Sequence, residues 1–263
     1  MKNKVVVITG AASGIGAEFV KQYAKRGAHV ALLDRDASGL AKLSEQLQDS
    51  NIPHLTVTVD ITDKEQVAQA FSKVIEKFKT IDVLVNNAGI SHISRFEDTP
   101  VAIIEKVMAV NFYGAVYCTH EAINHLIKSK GQIITLSSVA GFSPLYGRTG
   151  YSASKHALHG FFNSLQAEVR EKGVHMLMAC PSFVKTNIED RTLNEEGHPF
   201  GKKKSVIGHV MAPEYVVSKI LKAADRKKNI VYISKTSKIA RLVSFFLPGI
   251  FERKMRNRVR KDF

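Results

Sequence analysis

Val5-Val6-Val7-Ile8-Thr9-Gly10-Ala11-Ala12-Ser13-Gly14-Ile15-Gly16 decides the fold of this chain. The apolar run from Lys4 to Thr9 reads as a strand buried on both faces, and an amphipathic helix follows to about Arg26. Between them, glycines allow a tight turn, close backbone approach to a phosphate, and exposed amides at a helix start. The next strand, Ala28 to Leu33, ends in Asp34, eighteen residues after Gly16, near where an acidic side chain grips ribose hydroxyls in a dinucleotide site. The alternation continues with a helix over 37–49, a strand over 54–59 ending in Asp60, a helix over 64–78 and a strand over 81–85. Strands spaced by helices of this length predict a single α/β domain. Its core is a Rossmann-type doubly wound parallel sheet of about seven strands with helices on both faces.

A second stretch carries chemistry. Ser138 ends the apolar run Gln132 to Leu136, and Tyr151-Ser152-Ala153-Ser154-Lys155 opens the following helix. At i and i+4, Tyr151 and Lys155 share a helix face. An ammonium about 4 Å from the phenol, at an effective dielectric of about 20, favours the phenolate by about 4 kcal/mol. At most, that interaction draws Tyr151 from about 10 toward about 7, with desolvation working against it. Ser138 at a strand end can hold a carbonyl oxygen while Tyr151 protonates it. The bland alternative is a capping serine and a packed tyrosine.

Asp34 repels a 2′-phosphate, which favours NAD over NADP, although Arg35 beside it pulls the other way. Asp60 fits two readings, an acceptor for an adenine amino group and a cap for the next helix with Thr62 and Asp63. Asn86-Asn87-Ala88-Gly89 brings small residues and amides to the end of the fourth strand, where a cofactor can lie against the sheet edge.

Taken together, these motifs resemble the short-chain dehydrogenase/reductase family, from Lys4 to about Thr186 and more loosely near Val231. The resemblance implies Tyr151 as general acid or base. It makes Lys155 the ligand of the nicotinamide ribose, Ser138 the group orienting the substrate oxygen, and Asn111 the holder of a water in a proton relay. It also implies a cofactor cradle of Gly10, Ser13, Gly14, Ile15, Gly16, Asp34, Arg35, Asp60, Ile61, Asn87, Ala88, Gly89, Tyr151, Lys155, Val184 and Thr186. Pro181-Ser182 departs from the family's usual Pro-Gly, which puts the local turn in question. Homodimers or homotetramers through the Asn111 and Tyr151 helices are a further implication.

Candidate substrate contacts are Ser138, Phe142, Leu145, Tyr146 and Phe183, with Ile90, His92 and Leu193 beside them, and their apolar character predicts an apolar or lipid-like substrate. Residues 187–211 are polar and aperiodic, as in a lid.

The chain has 263 residues and a formal charge of +14. Nine cations against Glu252 and Asp262 lie between Lys235 and Phe263, half of that excess. The apolar piece 239–251 followed by this basic end fits two readings, a peripheral membrane contact and a docked C-terminal helix. The expected division is a dinucleotide-binding catalytic domain over 1–234, lid 187–211 included, and a basic amphipathic C-terminal extension over 235–263. Two distant cysteines, Cys118 and Cys180, imply no disulfide framework, and no signal sequence or spanning segment is expected, which suits a cytoplasmic protein. The histidine spacing suggests no metal site, and His156 and His159 are expected to pack at a subunit contact. The rival class, a dinucleotide sensor or nucleic-acid binder using the basic surface, does not require Ser138, Tyr151 and Lys155 together.

Overall fold

The computed structural model describes residues 1–186, 192–201 and 209–260. Seven parallel strands, β1 (Val5–Thr9), β2 (His29–Asp34), β3 (His54–Thr58), β4 (Val83–Asn86), β5 (Gln132–Leu136), β6 (His175–Cys180) and β7 (Ile230–Tyr232), form one sheet in the order β3-β2-β1-β4-β5-β6-β7. The order reverses between β1 and β4, so a crevice opens at the strands' carboxyl ends there.

Successive residues of β1 face opposite sides, which is why an unbroken apolar run is required. Val6 and Ile8 join the core beneath α1 (Gly14–Lys25), α2 (Ala37–Asp49) and α7 (Pro213–Asp225). Val5 and Val7 join the opposite core beneath α3 (Lys64–Phe78), α5 (Gly114–Ser129) and α6 (Thr149–Val169). Asp36 and Asp63 cap α2 and α3 by accepting from the Gly39 and Gln66 amides, each at 3.0 Å.

Three features depart from the sequence expectations. The Asn111 helix is not one regular α-helix: α4 (Val101–Met108) passes through a π turn, Ala109–Tyr113, into α5. The continuous helix Val101–Ser129 is long and apolar enough to cross a bilayer by length and composition alone. Its Cys118, Ala122 and Leu126 are buried against the sheet. The C-terminal segment forms two helices, α8 (Lys235–Phe246) and α9 (Pro248–Val259), because Pro248 has no amide to continue the ladder. Both pack onto the domain: Ala240 and Met255 are buried, and the Tyr146 amide donates to Met255 Sδ at 3.0 Å.

Part of the expected lid is tied down. Leu193 pairs with His92, its amide donating to the Ser91 carbonyl at 2.9 Å and its carbonyl accepting from Ile93. Residues 187–191 and 202–208 lie outside the described residues.

Candidate active site

A cavity of about 800 Å³ opens at the carboxyl ends of the strands. Its cofactor end is built by backbone. Gly10 and Gly14 adopt φ of +63° and +55°, conformations that L side chains rarely take. A Cβ on Gly10 would stand 2.8 Å from Ala88 Cα, so the turn and the Asn87-Ala88-Gly89 loop touch only because no side chain intervenes. Asn87 clamps the two, donating from Nδ2 to the carbonyls of Thr9 and Gly10 at 3.0 Å each. The Thr9 hydroxyl accepts from the Asn87 and Ala88 amides.

Ser13 sits at the N-cap of α1 without a side-chain capping bond, which leaves the start of the helix suited to an anion. The Ser182 hydroxyl, also at the cavity wall, is buried without a partner among the described residues. These features fit a dinucleotide. Gly10, Ser13, Gly14, Ile15, Asp34, Arg35, Asp60, Ile61, Asn87, Ala88, Gly89, Val184 and Thr186 all line the cavity. Gly16 does not. Its missing Cβ would lie 1.9 Å from the Gly10 carbonyl oxygen, so it acts by letting α1 press against the turn.

Asp34 accepts from the Ala12 and Asp36 amides, one on each oxygen, at 2.9 and 3.0 Å. A carboxylate has about four lone-pair sites, so acceptor capacity remains toward the cavity. Asp60 Oδ1 takes both the amide and hydroxyl of Thr62, while the cap of α3 falls to Asp63. Asp60 therefore does not cap α3; it shapes the turn before that helix and lines the cavity.

At the chemical end, Ser138, Tyr151 and Lys155 meet on one wall. Ser138 follows β5 and accepts from the Ala140 amide at 3.2 Å; it also shares a hydrogen bond with Tyr151. Lys155, one turn along α6, donates to the Leu136 carbonyl at 2.8 Å, and its Nζ lies 5.8 Å from the Tyr151 ring centroid.

The expected lowering of Tyr151 is not what this arrangement produces. Burial pushes the phenol above its usual range; the Ser138 hydrogen bond and the Arg148 charge pull back less strongly. The ammonium points at a carbonyl rather than at the phenol, and burial lowers Lys155 itself to about 8.

Asn111 lies in the π turn, 1 % exposed, and does not line the cavity. Its side chain accepts from the Ile90 amide and donates to the Ile90 carbonyl and the Ser154 hydroxyl. It braces the wall around Gly89, whose missing Cβ would sit 3.2 Å from Asn111 Oδ1 and 3.6 Å from Lys155 Nζ. Single π turns inside α-helices are frequent at functional sites.

Several substrate expectations change. Leu145, Tyr146, Phe183 and Ile90 line the cavity; Phe142 does not. Its ring packs edge-on against Tyr232, 5.2 Å between centroids, because its backbone lies against α8, where the Ser244 hydroxyl reaches its carbonyl. His92 and Leu193 also lie behind the wall, pairing with each other through backbone. His159 is not turned outward: its Nε2 shares a 2.8 Å hydrogen bond with Ser137, and burial, with nearby positive charges, lowers it to about 4.

Residues not anticipated include Ser91, Lys106, Arg148, Thr192 and the inner faces of α8 and α9. For α9 a signal was present: Phe251, Met255 and Val259 recur every fourth residue, as an inward helical stripe does. No comparable pattern marks Arg148.

Fold and site together define a dinucleotide-binding oxidoreductase of the α/β class. The family model for short chain dehydrogenases matches residues 4–197. Dehydrogenase/reductase SDR family member 7B of Bos taurus is 33% identical over 270 residues, covering 100% of this chain and 83% of the relative. The Dictyostelium discoideum dehydrogenase/reductase SDR family protein 7-like is 36% identical over 231 residues, 84% of this chain and 71% of that one. Among solved structures, a short-chain dehydrogenase/reductase from Burkholderia phymatum in complex with NAD superposes with a TM-score of 0.85. It is 22% identical, with 95% of each chain covered. An alcohol dehydrogenase from Thermococcus sibiricus complexed with 5-hydroxy-NADP gives 0.76 at 23% identity, covering 88% of this chain and 95% of that one. The chain belongs to the short-chain dehydrogenase/reductase family.

Proposed function

We propose that the protein interconverts a secondary alcohol and a ketone on an apolar, lipid-like substrate, using NAD(H) in preference to NADP(H). The observation that supports this most is the convergence of Ser138, Tyr151 and Lys155 on a cavity whose other end is a glycine cradle. A bound nicotinamide dinucleotide supplies or accepts the hydride. Ser138 holds the substrate oxygen through its hydroxyl. Tyr151 gives that oxygen a proton in reduction and takes one back in oxidation. A phenol raised by burial stays protonated at neutral pH, the form reduction requires. Lys155 would hold the nicotinamide ribose, and Asn111 supports a water relay that returns the proton to Tyr151 by way of Lys155.

The spare acceptor capacity of Asp34 favours ribose hydroxyls over a 2′-phosphate, which supports NAD. Leu242, Phe245 and Phe246 project from α8 at 59–70% exposure, beside Lys238 and Arg241. This face suits peripheral contact with an anionic lipid surface. Two or four copies would associate through the outer faces of α5 and α6.

The test is turnover of a ketone panel with NADH and NADPH by the parent and Tyr151→Phe. Loss of reduction with unchanged dinucleotide affinity is expected; retained reduction would remove Tyr151 from the mechanism.

A further inference from the structure

The charge along the cavity is divided. Its acidic lining residues among those described, Asp34 at the end of β2 and Asp60 two residues past β3, lie in the cofactor half, where Arg35 also lines the wall. The substrate half carries Lys106 from α4, Arg148 from the turn before α6, and Lys254 and Arg258 from α9. Three separate elements thus deliver four cations to one opening, and no carboxylate lines that half among the described residues. Lys106, Lys254 and Arg258 form no ion pair among the described residues.

Lys106, Lys254 and Arg258 are exposed at the cavity's edge, and Arg148 is half-buried. On α9, residues 251, 254, 255, 258 and 259 form one stripe at helical spacing, and every one of them lines the cavity. Arg253, Arg256 and Arg260 of the same helix are not on that stripe. Phe251, Met255 and Val259 therefore present an apolar wall, continued by Ile239 and Val243 of α8, with Lys254 and Arg258 along its edge. Arg148 lies deeper. It donates to the Ser91 hydroxyl at 3.0 Å, and its charge reaches the Tyr151 phenol. Arginine and lysine gathered at one apolar opening suit a carboxylate or phosphate.

We propose that the substrate is an anionic amphiphile, an apolar chain carrying a carboxylate or phosphate, with its chain on α8 and α9 and its anion held by Arg148, Lys254 and Arg258. The proposal rests on reading this half of the cavity as the substrate site, and it names the class of molecule that site takes. Lys106 of α4 adds a further cation to the lining of the same cavity.

The test measures binding by calorimetry on the full-length protein, with hexadecanoate, hexadecyl phosphate and the neutral methyl hexadecanoate, each below its aggregation limit. Hexadecanoate and hexadecyl phosphate are expected to bind at least tenfold more tightly than the ester. In a Lys254→Gln/Arg258→Gln variant that difference should shrink to threefold or less. Equal affinity of acid and ester for the parent protein would overturn the proposal, and this comparison needs no variant. So would inorganic phosphate binding as tightly as hexadecyl phosphate, since the site would then be a free-anion site. So would a variant that keeps the acid preference while losing binding to phosphatidylserine vesicles, because the cations would then serve a membrane surface. Binding is read without hydride transfer, so an absence of turnover on any ketone would sink the proposed function while leaving these outcomes distinct.

Discussion

Lys155→Met isolates the electrostatic burden of the site. Burial lowers the Lys155 ammonium from 10.5 to about 8. Between those two values the folded protein carries fewer protons on this group than the unfolded chain, so folding stability rises with pH across that window. Below about pH 8 the penalty is complete, and above about pH 10.5 it is gone. At about 1.36 kcal/mol per pH unit it amounts to about 3 kcal/mol, and a side chain only 5% exposed leaves little solvent screening to discount it. Methionine keeps a comparable length without the charge, although it gives up the hydrogen bond to the Leu136 carbonyl. That loss and any repacking are common to both pH values and cancel in a difference. Urea unfolding of parent and variant at pH 7 and pH 10.5 should therefore show the variant's stability, relative to the parent, falling by about 3 kcal/mol as pH rises. An unchanged gap would mean that the ammonium is not desolvated, and the account of Lys155 would be wrong. The variant should also lose turnover, so the charge is retained at a cost to stability.

Gly16→Ala should be severe, because its Cβ would meet a backbone carbonyl that cannot swing aside. Overpacking of about 3 kcal/mol predicts a melting temperature lower by about 6–12 °C, with weakened dinucleotide binding, whereas Gly249→Ala, with nothing within 4 Å, should melt within about 2 °C of the parent. Phe142→Ala should cost about 2 kcal/mol through the lost packing on Tyr232, read by urea unfolding, while KM shifts less than about twofold; a large KM change would return Phe142 to the substrate wall. Phe245→Ser/Phe246→Ser should abolish cosedimentation with anionic vesicles without altering turnover of a water-soluble ketone; undiminished sedimentation would assign the α8 face another role.

The sheet was legible because parallel strands buried on both faces appear as short continuous apolar runs, as in β1, β2, β4 and β5, whereas the edge strand β3 reads His-Leu-Thr-Val-Thr and is only partly buried. The glycine turn was legible for a similar reason: few residues other than glycine occupy the backbone of Gly10 and Gly14, so chemistry and conformation coincide. What escaped depends on distance and direction rather than on residue type. Spacing placed Tyr151 and Lys155 on one face, but the sign of the tyrosine shift follows from where the ammonium points, and it points at Leu136. Phe142 belongs to the right loop and faces the wrong way, toward Tyr232. The π turn at Asn111 has no sequence period to announce it. The C-terminal helices could be read as amphipathic, yet which apolar stripe turns inward emerges only when Met255 meets Tyr146.

The most direct measurement is transfer of deuterium from C4-labelled NADH to the carbinol carbon of a reduced ketone, followed by mass spectrometry in the parent and in Tyr151→Phe. The account predicts label at that carbon in the parent, and transfer slowed about 10²–10⁴-fold in the variant, with NADH affinity unchanged. Label transferred at the parental rate without the phenol would contradict it.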